Sequence, residues 1–441
     1  MSLIRKGILA GGGSVVCVGL GVVTNMMLAR SLLPEGMGRY QLPMTMGALI
    51  VTVLSLGIGQ ANIYFLNKHK IEPKKIVMNS IWAALAGSVI LMLIVPVIFT
   101  VFANYFGQLR LWVKIVFSAG ACGLLTVALL RPVLTAALQV RQAVSVQVTQ
   151  AVTILAIVAF CFIFKLMSVN LALNAFAMSH LVSLAVLLYF VSDRIDFSIF
   201  FSWRLFLQTL HYGLKLYAGN IVYLINVSIG LMLLRYLMPD DFGNVGYYGR
   251  AVAICKLVML LPIAVGPLLY AQWAAFSGDE RRLQAQLAMR LHLLLGIVTA
   301  FSIGLFGHWL ILLLYGKQFL AALSALRILI VGTALMSMLN VCISLLASDG
   351  RAHITAYMMT FGVAAQIVLM WILVPRLGIN GAALANTASN CLVFSAGIII
   401  LKHGYQVSLR HIILLKRSDL VYLMNAIYNR RVSEKQISNE Q

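Results

Sequence analysis

The stretch RSLLPEGMG (Arg30–Gly38) returns as RYLMPDDFG (Arg235–Gly243), with arginine, leucine, proline, acid and glycine in register. The copies stand close to half of the 441-residue chain apart, and each lies where one long apolar segment ends and another begins. A duplicated module is the simplest account of that pattern. Composition says what kind of module it is: hydrophobic residues are 61%, charged residues 10%, and mean hydropathy is +0.96. Soluble domains carry about 25% charged residues, so each module is expected to be a bundle of membrane-spanning helices.

A spanning helix needs about 20 mostly apolar residues. Twelve such segments are expected, from 8–31 and 40–66 through 207–236 and 247–275 to 354–374 and 380–401. The apolar run after Arg5 and Lys6 is too long for a signal peptide and ends at Arg30, so a retained first helix is expected. The six cysteines are scattered through apolar segments without CxxC spacing, which reads as buried free thiols. The fold class follows: an all-α polytopic membrane protein, with two six-helix lobes related by a pseudo-two-fold axis along the membrane normal. The expected division is 1–202, 203–402 with an amphipathic interfacial stretch at 203–212, and a basic amphipathic tail over 403–441.

Basic residues fix the orientation, because Lys and Arg in short loops stay on the cytoplasmic side. They crowd at one set of segment ends, among them Arg5, Lys6, Lys68, Lys70, Lys74, Lys75, Arg194, Arg204, Arg281, Arg282 and the tail. The other ends carry only Arg30, Arg39, Arg110, Lys165, Arg235, Lys317 and Arg376. Both termini are therefore expected in the cytoplasm, and part of the net charge of +21 reflects topology.

All 12 acids fall in loops, at helix ends or in the tail, whereas Lys114, Arg131, Lys215, Arg250, Lys256, Arg290 and Arg327 lie within or just inside the segments. A membrane interior with cations and without carboxylates suits an anionic cargo. Each cation also has a structural reading, since a long basic side chain near a helix end reaches the headgroups at little cost. That reading is strained for Lys256, which stands about 14 Å deep. Arg131, before Pro132, and Lys215 are open to either reading, and Arg250 is expected at a cavity mouth. Arg30 and Arg235 each oppose a helix dipole just before a proline, and they also stand at one mouth between the lobes. Thr24, Asn25, Gln41, Thr45, Tyr217, Asn220, Tyr223 and Asn226 are further lining candidates. Asn386 and Asn390, four apart, are read as helix packing. Pro43, Pro262 and Pro267 are candidate hinge points.

Short loops leave no external domain for chemistry, and no glycine-rich loop followed by Lys and Ser or Thr occurs, so ATP hydrolysis is not expected. Neither a metal nor a cofactor is expected. The chain reads as a transporter rather than an enzyme.

At LARSLLPEGMGRY (Leu28–Tyr40), YFLNKHK (Tyr64–Lys70) and LVPRLGINGAALANTAS (Leu373–Ser389), the sequence resembles the oligosaccharide flippases of O-antigen and capsule assembly. These belong to the multidrug, oligosaccharidyl-lipid and polysaccharide exporter superfamily. The resemblance implies alternating access through a central cavity lined by segments 1, 2, 7 and 8. It further implies that undecaprenyl-diphosphate-linked oligosaccharide units are moved from the cytoplasmic to the periplasmic leaflet of a bacterial inner membrane. Carried onto this chain, the cavity residues are Arg30, Arg39, Gln41, Lys215, Asn220, Arg250 and Lys256. The Gly-Leu-Lys run at Gly213–Lys215 departs from the family's Gly-Leu-Pro. The implied partners are the lipid-linked glycan, membrane lipids and other polysaccharide-assembly membrane proteins, with no nucleic acid and a monomeric state. Two rivals stay open: a drug or cation antiporter of the same superfamily, which should carry an intramembrane acid, and a glycan polymerase or ligase, which should carry a large external segment.

Overall fold

The computed structural model describes residues 3–196, 201–259, 278–348 and 351–405, and among them every regular element is a helix. The first half holds α1 (Leu3–Ser55), α2 (Ile58–Asn67), α3 (Pro73–Val101), α4 (Ala103–Phe106), α5 (Leu111–Ala136), α6 (Val140–Ile163) and α7 (Val169–Val191). The second holds α8 (Trp203–Leu237), α9 (Phe242–Cys255), α10 (Gly278–Leu314), α11 (Ala322–Ser348) and α12 (Ala352–Tyr405).

α1 has 53 residues and α12 has 54. At 1.5 Å per residue each would run about 80 Å, far beyond a hydrocarbon core of about 30 Å. Each is accordingly broken once, at Leu33 (φ 60°, ψ 176°) and at Gly378 (φ 56°, ψ −132°), and so crosses twice. With those breaks the chain is an all-α membrane protein of two six-helix lobes. The external turn expected over 32–39 shrinks to Leu33 alone. Pro34 lacks an N–H and has the φ of a first helical residue, so it restarts the helix immediately. The second copy of the motif opens further: α8 ends at Leu237, and α9 starts at Phe242 behind Asp241, whose Oδ1 accepts from the backbone N–H of Gly243 (2.6 Å) and of Asn244 (3.3 Å). An aspartate at this N-cap satisfies donors that the first copy, with Gly36 in its place, does not cap in this way.

Lipid-facing surfaces follow the helical period. Val89, Leu93, Val97 and Val101 on α3, and Phe301, Leu305, Trp309 and Leu313 on α10, recur every fourth residue and are exposed. The stretch 203–212 is continuous with the crossing part of α8 rather than a separate helix. Its Leu205 is buried among first-lobe residues, and the Tyr212 ring stacks on Tyr64 at 4.1 Å.

The apolar cores show how the lobes meet. At the end bearing the two motifs, one continuous core joins Leu28, Met37, Phe106 and Phe117 of the first lobe to Val245, Tyr248, Phe319 and Met370 of the second. Toward the opposite end it divides into a first-lobe cluster around Phe65, Leu130 and Leu187 and a second-lobe cluster around Met289, Leu339 and Met358. The lobes thus share one continuous core at the motif end, while at the other end the start of α8, through Leu205 and Tyr212, packs into the first-lobe cluster.

Candidate functional site

Where the shared core divides, a cavity of about 610 Å³ opens between the lobes. One wall is α1, with Val18, Gly21, Val22, Asn25 and Gln41. The other is built from Tyr223 and Asn226 of α8, Tyr248 and Arg250 of α9, Lys256 just beyond it, Tyr315, Thr333 of α11, and Asn386 and Asn390 of α12. Gly19 and Gly21 on α1 and Gly219 on α8 face open space.

Arg250 lies in the cavity wall, against both lobes. The side chain is 4% exposed, and it donates from Nη1 to Asn25 Oδ1 (2.7 Å) and from Nη2 to Gln41 Oε1 (3.0 Å). Its guanidinium also faces the Tyr315 ring, 5.6 Å from the centroid. Gly249 makes the approach possible, since a Cβ there would collide with the Gln41 side chain. Both amide acceptors are neutral, so the guanidinium charge is hydrogen-bonded but not neutralised. Lys256 lies near enough for the two charges to repel, and it remains accessible from the cavity. No carboxylate lines the cavity among the described residues. The ion pairs described lie on the surface, at Arg39–Glu35, Lys74–Asp196 and Lys75–Glu72. Among the described residues no group of three or more His, Cys, Asp and Glu side chains comes together as a metal site, and the six cysteines are free.

The repeated arginines lie outside the cavity, in the seal above it. Arg30, on the first lobe, donates from Nη2 to the carbonyl of Leu313 on α10 (2.6 Å). Arg235, on the second lobe, reaches the other way, to the carbonyls of Asn104 (2.8 Å) and Tyr105 (3.0 Å) and to that of Pro239. Each copy of the motif thus grips the opposite lobe. Arg39 pairs with Glu35 at 2.6 Å, and the Phe242 ring lies under both Arg235 (3.5 Å) and Arg39 (5.0 Å). Glycines let the backbones touch: a Cβ on Gly38 would strike the carbonyl of Phe242, and one on Gly246 the carbonyl of Pro34.

The remaining sequence candidates separate. Arg131 is half-buried beside Cys17 of α1, and Lys215 is exposed on α8. Asn220 lies in α8, with its side chain outside the described residues, as are Pro262, Pro267 and the tail beyond 405. α1 keeps helical dihedrals through Pro43, and the nearest departures are at Leu33 on one side and at Leu56 (φ 49°) and Gly57 (φ 70°) on the other. Tyr248 and Tyr315 were not singled out from sequence, and their places depend on packing between distant helices. Asn386 and Asn390, read as packing residues, face the cavity, while their neighbours Thr387 and Ser389 donate to the carbonyls of Ile328 and Gly362 on adjoining helices. The i, i+4 spacing of the two asparagines was the only signal of a shared face.

No curated protein matches the chain in sequence. Solved structures do match in fold. A multidrug resistance transporter of the MATE family, in an inward-facing conformation, aligns with a TM-score of 0.73 at 17% identity, over 92% of this chain and 97% of its own. The lipid II flippase MurJ, in an inward closed conformation, aligns with a TM-score of 0.73 at 13% identity, over 92% and 89%. A transporter of the same MOP superfamily from Pyrococcus furiosus, described as having a binding pocket of reverse polarity, aligns with a TM-score of 0.68 at 17% identity, over 91% and 95%. In sequence, residues 3–273 match the family model of polysaccharide biosynthesis proteins, which is more than half of the chain, and the protein belongs to that family.

Proposed function

We propose that this protein is a flippase that moves undecaprenyl-diphosphate-linked oligosaccharide units, of an O-antigen or related surface polysaccharide, across a bacterial inner membrane. The observation that carries the reading is the pairing of Arg250 and Lys256 in one cavity whose described lining holds no carboxylate. A diphosphate loses its hydration on entering hydrocarbon at great cost, and fixed cations replace that hydration while the polyprenyl tail stays in lipid. A guanidinium matches phosphate oxygens through two parallel N–H donors, and an ammonium adds a mobile point charge. Family membership and the transporter fold support the same activity.

In this reading both termini face the cytoplasm, as the basic loops indicate, and the cavity is open to that side. The headgroup passes Lys215, Arg131 and Asn220 on its way in, and binds at Gln41, Arg250 and Lys256. Arg30, Arg39 and Arg235 form the external gate. The lobes, 1–202 and 203–402, then rock so that the cavity opens outward, with Pro43, Pro262 and Pro267 as points of bending. Attraction for the headgroup is shared between both open states, because a ligand held much more strongly by one state traps it.

The test is transport by the full chain in proteoliposomes, following a lipid-linked oligosaccharide from one leaflet to the other. Movement that depends on the protein, and falls at least tenfold in Lys256→Ala, supports the proposal. Tight binding of lipophilic cations, with no binding of polyprenyl diphosphate, replaces it with a cation antiporter.

A further inference from the structure

The cavity has two chemically distinct faces. The cations stand together on and just beyond α9, at Arg250 and Lys256. The same lining also carries neutral amides from two other helices of the second lobe: Asn226 of α8, and Asn386 and Asn390 of α12. Asn226 is 5% exposed, lines the cavity, and its Nδ2 has no hydrogen-bond partner. Asn390 is 6% exposed and donates to Asn386 Oδ1 at 3.2 Å, so the two amides are held side by side. An unsatisfied buried amide costs about 1–3 kcal/mol; the Asn226 Nδ2 is itself covered by protein, so a ligand recovers that cost only once the side chain turns toward the cavity.

The chemistry of the face selects the ligand. A diphosphate offers only acceptors, so it meets the amide N–H donors but leaves the amide oxygens unanswered, and the cations draw it more strongly. A metal cation requires acidic or densely packed oxygen ligands, which the described lining does not supply. A sugar hydroxyl both donates and accepts, as a carboxamide does, and the two satisfy each other in either sense. The Tyr223 ring, partly exposed in the same lining, offers apolar surface to the C–H face of a pyranose. The cavity falls within the usual size range of small-molecule sites, about 300–1,000 Å³. It holds the first few sugars of a chain and not a long polymer.

We infer that Asn226, Asn386 and Asn390 form a glycan subsite in the second lobe, which holds the sugars nearest the diphosphate while Arg250 and Lys256 hold the diphosphate itself. The inference rests on the flippase reading and adds to it a place and a chemistry for sugar recognition. Lys256 then governs affinity for every diphosphate lipid, whereas the amides govern the preference for lipids that carry sugar. A site built to hydrogen-bond hydroxyls discriminates strongly against the analogue that lacks them.

The full chain in lipid nanodiscs is titrated with undecaprenyl diphosphate, and separately with the same lipid carrying the oligosaccharide unit of the host cell. The wild type is expected to bind the sugar-bearing lipid about tenfold or more tightly than the bare one. Asn390→Ala should bring that ratio close to one without changing affinity for the bare lipid more than twofold. Asn386→Leu, at a half-exposed position facing open cavity, should do the same and decides the matter where the buried Asn390 variant fails to fold. Lys256→Ala should weaken both lipids alike. A wild type that binds both lipids equally, variants that keep its ratio, or variants that lose both lipids in proportion each overturn the subsite. Binding of neither lipid by the wild type is a different result and removes the flippase reading itself.

Discussion

Arg250 on α9 and Asn25 on α1 are joined across the two lobes by a 2.7 Å hydrogen bond. Asn25 Nδ2 donates to the carbonyl of Gly21 (2.8 Å), which turns its side-chain oxygen toward the arginine. The bond ties the seal between the lobes to the charge that the cavity offers an anion. An incoming phosphate oxygen is a stronger acceptor than an amide oxygen, because bonds between ions are about twice as strong as neutral ones. On the flippase reading proposed above, arrival of the diphosphate headgroup competes directly with a bond that holds the lobes together.

Asn25→Asp tests that competition. The substitution preserves the shape and the acceptor for Arg250, gives up the donation to the Gly21 carbonyl, and places a permanent anion against Arg250. Affinity for undecaprenyl diphosphate should fall roughly ten- to a hundredfold, equivalent to about 1.4–2.8 kcal/mol, while the thermal stability of the purified protein holds or rises. Unchanged affinity would show that Arg250 serves only the seal.

The reciprocal arginines should differ in weight. Arg235 is 3% exposed and satisfies three backbone carbonyls, so Arg235→Ala leaves buried acceptors unpaired and should cost about 3 kcal/mol of stability. Arg30 is exposed and serves one carbonyl, so Arg30→Ala should cost less than about 1 kcal/mol. Denaturant or thermal unfolding in detergent measures both. Equal losses would mean that burial does not set the strength of the clasp.

Gly246→Ala should pry the seal open. Its Cβ would meet the carbonyl of Pro34, a backbone atom that cannot rotate away. Labelling of a reporter cysteine placed at Asn104, with the six native cysteines replaced, should rise several-fold over the same reporter without the alanine. Unchanged labelling would place the mobile contact elsewhere.

The contrast between Arg30 and Arg235 shows how far sequence reading reaches. The repeat and the apolar segments disclosed the duplication and the two-lobed helical fold, because both are properties of local composition. The motif copies share arginine, leucine, proline, acid and glycine in register, yet one arginine is exposed and the other buried. That difference comes from what the opposite lobe supplies: the end of α10 for one and the α4 turn for the other. Arg250 and Lys256 were legible as cations without acids near them in the segments. Asn386 and Asn390 were not legible as cavity residues, since an asparagine pair at i, i+4 has the same pattern whether it faces a neighbouring helix or a void. Only the packing of α12 against α8, α9 and α11 distinguishes the two.

The same lack of acids bears on the driving force. A carrier coupled to protons or sodium needs a group that binds the ion in one state and releases it in the other, and intramembrane carboxylates are the usual means. The described cavity lining offers cations, amides, phenols and one thiol, Cys255, instead. An inside-negative potential favours outward movement of an anion by about 2.3 kcal/mol per charge per 100 mV. For a headgroup of about two charges that amounts to roughly 4–5 kcal/mol, enough to bias the leaflet distribution by more than a thousandfold without any coupled ion. In proteoliposomes, a potassium diffusion potential that is negative on the side of loading should speed flipping, reversal of its sign should slow it, and a pH gradient at zero potential should leave it unchanged. A rate that follows the pH gradient and ignores voltage would point to a carboxylate, which the described cavity lining lacks.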